Sequence, residues 1–233
     1  MELCREYGTP PYNVIVLHGG PGAPGCAAGL CRILGEETGV LEHLQKSRTI
    51  DGLMDEILYL IKKYTLSQII LVGHSFGAWL ALLFAEKYPL LVSRTLIIGC
   101  GPLKSTYLPE IIRTRNERAK QGLSDTDNYQ SLPESSMDML YFDEEQHKAL
   151  MAEIFSLRES GELLDRILHV TCPVTAFHGK YDPHPIRGLR EPLEGKLPNF
   201  RLIILEKCGH DPWKEKYARE EFLKLIRNEL VIN

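Results

Sequence analysis

The chain has 233 residues, 44% of them hydrophobic and 25% charged, the balance of an ordinary globular protein with one core and room for one insertion. Its net charge of −4 excludes the basic footprint of a nucleic-acid binder. No apolar run approaches the roughly 20 residues that cross a bilayer, so no membrane partner is expected.

The first residues, Met1 to Glu6, carry acids and lack a hydrophobic stretch, so they do not read as a secretory signal. Six cysteines (4, 26, 31, 100, 172 and 208) form no C-x-x-C pair and no metal-ligand spacing. They read as reduced thiols of a cytoplasmic protein, acting as small buried hydrophobes.

Tyr12 to Leu17 is a short β-branched run that ends in His18-Gly19-Gly20-Pro21-Gly22, which predicts a buried strand feeding a turn. Leu53, Ile57, Leu60, Ile61 and Tyr64 then share one helical face. The apolar run Ile69-Ile70-Leu71-Val72 follows. It leads into Gly73-His74-Ser75-Phe76-Gly77 and a helix over 76–88 that is apolar nearly all round and must be buried. Another strand, Thr95 to Ile98, runs into Gly99-Cys100-Gly101-Pro102.

From about Leu103 to Arg166 the chain turns polar, with amphipathic helices expected at 109–121 and 144–160. Strand patterns return at 174–177 and 200–205. Asp211-Pro212 reads as the N-cap and first-turn proline of a last helix whose inner face is Phe222, Leu223, Ile226 and Leu230. Continuous apolar strands alternating with helices predict an α/β fold: a mostly parallel sheet of about six strands covered on both faces. The expected organisation is a core over 1–102, a helical cap insertion over 103–166, and a second core segment over 167–233. Such an insertion would lie over the carboxyl ends of the strands, where ligands bind.

Gly-x-Ser-x-Gly between a strand and a helix is the setting of a nucleophilic serine. A serine on so sharp a turn takes a strained backbone, and its neighbours two residues away must be small; here both are glycine. A hydroxyl needs a base, and the base an orienting acid, in the chain order Ser, Asp/Glu, His. Asp182, after the strand 174–177, and His210, after the strand 200–205, stand in those places. Each alone would read as a turn residue; together with Ser75 they make a candidate triad. The backbone N–H groups of Gly20 and Phe76 are the candidate oxyanion donors, since Pro21 has no N–H to offer. His178, Asp182 and His184 cluster in sequence, but no fourth ligand is evident, so neither metal nor cofactor is expected. Arg113, Arg115, Arg118 and Lys120 read as the solvated face of a helix rather than a grip for an anion.

These motifs, in this order, resemble the α/β-hydrolases over nearly the whole chain. His18 to Gly22 is similar to the corresponding loop of proline iminopeptidases, which would imply cleavage next to an N-terminal residue, with acids of the cap holding the amine. The cap is rich in acids, Glu134, Glu144, Glu145 and Glu153 among them, and none is marked out for that role. No Asp-Gln-Arg-Gly segment lies between Gly22 and Ser75, and His74 and Phe76 around the serine are closer to esterases. The short N-terminus leaves the antiparallel hairpin that usually opens this fold missing or reduced. The expected activity is therefore hydrolysis of a small-molecule ester or amide through an acyl-enzyme on Ser75. The alternatives are a proline iminopeptidase-like aminopeptidase, a cofactor-free perhydrolase or acyltransferase, and a weakly catalytic ligand receptor on the same fold.

Overall fold

In a computed structural model, residues 2–129 and 138–230 are described. The backbone is a seven-stranded sheet in the order β1-β3-β2-β4-β5-β6-β7. The strands are β1 (Cys4–Tyr7), β2 (Val14–Leu17), β3 (Val40–His43), β4 (Ile69–His74), β5 (Val92–Ile98), β6 (Val174–Gly179) and β7 (Phe200–Leu205). All neighbours pair in parallel except β1, which runs antiparallel to β3.

The α/β expectation of about six strands meets seven. Five of them are the runs read from the sequence, and the other two are the edge strand β1 and its partner β3. Their presence means that the antiparallel start of the sheet is reduced rather than missing. β3 escapes a pattern search because its buried residues are Val40, Leu41, Glu42 and His43, half of them polar.

Alternation along the strands divides the core in two. Ile15, Leu17, Leu71 and Ile97 face one side, where α2 (Ile50–Lys63), α3 (Phe76–Lys87) and α7 (Arg187–Leu193) pack. Val14, Val16, Ile70, Val72, Leu96 and Ile98 face the other, against α1 (Ala28–Gly35) and α8 (Arg219–Leu230). Between β5 and β6 lie α4 (Leu108–Lys120), α5 (Glu144–Ser160) and α6 (Glu162–Ile167). Leu150 and Ile154 of α5, with Leu163 and Ile167 of α6, join the core on the α3 side. This cover explains why α3 is buried from Phe76 through Ala85.

β2 pairs with β3 on one side and β4 on the other. The chain therefore reverses direction across the sheet at β2, and the loops after β2 and β4 border the crevice where ligands bind in such sheets.

Two glycines let α3 begin this close to β4 and β2. A Cβ on Gly73 would lie 2.3 Å from Gly77 O, and one on Gly77 would lie 2.1 Å from Leu17 O. Both obstacles are main-chain atoms, so no rotamer change relieves them. Gly77→Ala is expected to cost about 3 kcal/mol or more, lowering Tm by roughly 6–12 °C. Thermal unfolding checks this; an unchanged Tm would mean that α3 can lift from β2 freely.

Candidate active site

Ser75 occupies the strained position that its motif predicts, with φ 52° and ψ −114° between β4 and α3. Its N–H is held by Ile98 O at 2.9 Å, which fixes the turn to the end of β5. The loop after β2 presses on it from the other side: a Cβ on Gly19 would come within 2.7 Å of Ser75 Cβ. Gly20, at φ 55°, borders open space, and a Cβ there would meet nothing within 4 Å. Phe76 opens α3, where first-turn N–H groups have no helical acceptor.

Asp182 and His210 meet at the ends of β6 and β7, with His210 Nδ1 2.8 Å from Asp182 Oδ2. Facing a carboxylate, Nδ1 carries the hydrogen, which leaves Nε2 as the basic nitrogen. The loop lies tight against β5: a Cβ on Gly99 would stand 2.9 Å from His210 Nδ1. Ser75 is thus bonded to the end of β5 at Ile98, and His210 lies close against the same strand end at Gly99. Among the described residues Ser75 Oγ makes no hydrogen bond to His210.

A second imidazole shares the acid. His184 donates both its Nδ1–H (2.7 Å) and its backbone N–H (2.9 Å) to Asp182 Oδ1. Each carboxylate oxygen therefore has a partner of its own. Burial alone would raise the Asp182 carboxyl, but His210 and His184 together hold it well below the usual carboxylate range. Burial would in turn lower His210, yet Asp182, with help from Asp211, raises it above an ordinary histidine.

The sequence cluster His178, Asp182 and His184 does not form as such. His178 is fully buried and its Nε2 donates to His184 O at 2.8 Å. The group that does assemble is Asp182, His184 and His210, whose possible ligand atoms lie within 4.8 Å of one another. Both Nδ1 atoms are at hydrogen-bond distance from the carboxylate.

Asp211-Pro212 does not open the last helix. Pro212–Lys214 is a 3₁₀ turn, α8 begins at Arg219, and the Asp211 side chain is engaged elsewhere, with His74 Nε2 at 2.9 Å and Tyr129 OH at 2.6 Å. Reading for caps missed this because the pairing spans residues far apart in sequence. In α4, Arg115 and Arg118 pair with Asp125 at 2.8 and 2.5 Å, and Arg113 pairs weakly with Glu117 at 4.0 Å. These contacts place the basic run on a salt-bridged helix face.

The segment between β5 and β6 is tied, on its return, to the loops after β2 and β3. Asp143 N–H donates to Gly22 O at 2.7 Å, and His147 Nδ1 to Pro21 O at 2.9 Å. Gln146 Nε2 reaches Gln45 O and Ser47 O at 2.6 and 2.7 Å. A Cβ on Gly22 would lie 2.3 Å from Asp143 O, so this glycine serves the approach of the returning segment as well as the turn.

No helix among the described residues is long and apolar enough to cross a membrane. The profile of the alpha/beta hydrolase family matches residues 14–224. Comparison with curated protein sequences finds no match. Among solved structures the chain is similar to the monoacylglycerol lipase of Paleococcus ferrophilus, with a TM-score of 0.72 at 18% identity, covering 99% of this chain and 98% of that one. It is also similar to a thermophilic esterase from Thermogutta terrifontis (TM-score 0.69, 18% identity, 97% and 92% covered). A third likeness is to a structure from work on carboxylesterases of the thaumarchaeon Nitrososphaera gargenis (TM-score 0.66, 18% identity, 97% and 93% covered). At such identities the likeness speaks for the fold, and with the family match over most of the sequence it leads to one conclusion: the chain belongs to the alpha/beta hydrolase family.

Proposed function

We propose that the protein is a serine hydrolase that cleaves a small ester or amide through an acyl-enzyme on Ser75. The observation that carries this reading is the strained backbone of Ser75 on the turn into α3, with a His210–Asp182 pair lying close against the strand end to which Ser75 is bonded. In the substrate complex His210 Nε2 takes the Ser75 hydroxyl proton as Oγ attacks the carbonyl carbon. The N–H groups of Phe76 and Gly20 receive the oxyanion. His210 then gives the proton to the leaving alcohol or amine, the C–O or C–N bond breaks, and the acyl group stays on Oγ. Water enters, His210 takes its proton, and collapse of the second tetrahedral intermediate releases the acid and restores Ser75. Helices from the segment over 103–166 serve as the cap above this cleft, and no cofactor or metal takes part in any of these steps.

An ester is favoured over an N-terminal peptide bond by what the described acids among those four are doing. Glu153 Oε2 accepts the N–H of Ile50 at the start of α2, at 2.9 Å, so it is committed to the fold. Glu144 and Glu145 are exposed and pair with Lys148 on their own helix. Glu134 lies outside the described residues. None of the three described acids is placed to receive a substrate ammonium. The esterase and lipase names of the similar structures point the same way.

A fluorophosphonate probe tests the class: wild type is expected to label, and Ser75→Ala and His210→Ala are not. A wild type that stays unlabelled defeats the reading. A panel of short acyl esters and aminoacyl anilides then tests the substrate, with faster turnover of prolyl anilide deciding for the peptidase.

A further inference from the structure

His74 precedes the proposed nucleophile by one residue, and Asp211 follows the proposed base by one. Their side chains meet, His74 Nε2 lying 2.9 Å from Asp211 Oδ1. The same nitrogen is 3.3 Å from the main-chain carbonyl of His210. Two acceptors face Nε2, so Nε2 carries the hydrogen, and a neutral His74 grips both the side chain of Asp211 and the backbone of His210. Burial favours that neutral form, pushing His74 below an ordinary histidine. The ring stands edge-on to Trp213, 4.8 Å between centroids, which fixes its plane.

The other oxygen of Asp211 is taken as well. Tyr129 OH donates to Oδ2 at 2.6 Å, and Lys214 Nζ lies 3.2 Å from it. His74 and Asp211 are each about nine-tenths buried, so these bonds form out of competition with water. Tyr129 belongs to the stretch between β5 and β6 and is tied to the loop by an antiparallel bridge to Glu215 and by Lys216 N–H to Asn128 O at 2.8 Å. Glu215 in turn accepts the N–H of Gly209 at 2.7 Å. The turn Gly209-His210-Asp211 is therefore held at its first residue's N–H, its second residue's carbonyl and its third residue's side chain.

We infer that Tyr129, Asp211 and His74 form a second hydrogen-bonded relay, beside the Asp182–His210 pair, that positions His210 over Ser75 and makes that alignment depend on the seating of the insertion. The three are positioning residues, and the inference rests on the serine-hydrolase reading for its catalytic consequence. Asp182 sets the orientation of the imidazole ring, whereas the relay sets where the backbone carrying that ring sits relative to the nucleophile turn.

Charged and titratable groups face His210 from every side. Asp182 and His184 approach from the loop after β6, Asp211 lies on its own turn, His74 on the nucleophile turn, and Arg115 on α4. Asp211 contributes to the upward displacement of His210 behind the larger effect of Asp182, and Arg115 opposes it. Removing the Asp211 charge therefore lowers the pKa of His210, and the acid limb of kcat/KM moves to lower pH. Tyr129→Phe and His74→Gln keep that charge, so they leave the limb in place.

The test is to make Tyr129→Phe, His74→Gln and Asp211→Asn in the full chain. Each is expected to lower kcat on a short acyl ester by about 10- to 100-fold with little change in KM, and pairs are expected to lose less than the product of the single losses. Only Asp211→Asn should move the acid limb. Amide hydrogen exchange at 209–211 and the imidazole titration of His210 by NMR read the same device without turnover. Exchange should quicken in that turn alone, and the His210 titration should fall in Asp211→Asn. Wild-type kcat together with unchanged exchange in all three variants overturns the relay, as does exchange that quickens across the whole sheet with a lowered Tm. A wild type that turns over neither ester nor anilide and stays unlabelled by the fluorophosphonate defeats the hydrolase reading, while the exchange and titration still decide the relay.

Discussion

Ser75→Ala is expected to lower kcat on a short acyl ester by on the order of 10^6-fold, the loss typical when the nucleophile of a triad is removed. What remains would come from substrate binding and the proposed oxyanion donors at Gly20 and Phe76. His210→Ala should be nearly as severe, and the double variant little worse than either single one, because nucleophile and base act as one unit. The same position carries a stability prediction of opposite sign. Ser75 holds φ 52° and ψ −114°, a conformation that costs a side chain about 1–3 kcal/mol and glycine much less. Ser75→Gly should therefore be inactive and yet no less stable than wild type, and Ser75→Ala should keep the strain. Steady-state kinetics and thermal unfolding on the same three proteins check both halves; a Ser75→Gly variant that melts well below wild type would deny that the turn is strained.

The legible part of the molecule is the part whose causes are local. The run Ile69 to Val72, the small residues at 73 and 77 and the all-round apolar helix after them follow from sterics within nine residues, and the structure has them there. The helix at Glu144–Ser160 is found with the expected bounds because Asp143 caps it, accepting the N–H of Gln146 at 3.0 Å, and Gly161 ends it at φ 85°. What was hidden depends on partners distant in sequence. β3 hides because Glu42 is buried beside Tyr7, whose hydroxyl donates to Oε2 at 2.8 Å, so a strand with a charged centre is stable only in its sheet. Asp211 looks like a helix cap until His74, 137 positions earlier, claims it. Glu153 looks like a free acid until the N-terminus of α2 meets it. Gly22 and Gly25 look like turn glycines, whereas a Cβ at either would strike a carbonyl of the chain returning toward β6, Asp143 O at 2.3 Å and Asp138 O at 2.2 Å. His184 gave no signal separable from its neighbours, since its role is a contact two residues back with a carboxylate that His210 also uses.

That shared carboxylate makes Asp182→Asn the second severe substitution, with an expected loss on the order of 10^4 in kcat. An amide offers one oxygen and one NH2, whereas Asp182 accepts on both oxygens: two N–H groups of His184 at Oδ1 and His210 at Oδ2. With two donors on one side, the amide oxygen settles toward His184 and the NH2 toward His210. A donor facing Nδ1 forces the imidazole to place its hydrogen on Nε2, the nitrogen that must stay basic to receive the Ser75 proton. The enzyme is then folded but holds the wrong tautomer. The pH dependence follows from the same charges. Asp182 is the larger upward influence on His210, so without it the base titrates lower and the acid limb of any residual activity moves to lower pH. For stability, the depressed Asp182 carboxyl contributes above the unfolded pKa of about 3.9 and is lost as pH falls through its folded value, so the asparagine variant should lack that part of the acid-range slope. His210, raised in the folded state, contributes below about 6.5 and loses that contribution as pH rises through its folded value; this slope too should shrink in the variant. Activity and unfolding profiled from pH 3 to 9 check these signs together, and an asparagine variant with an unmoved acid limb would mean that Asp182 does not set the charge state of the base.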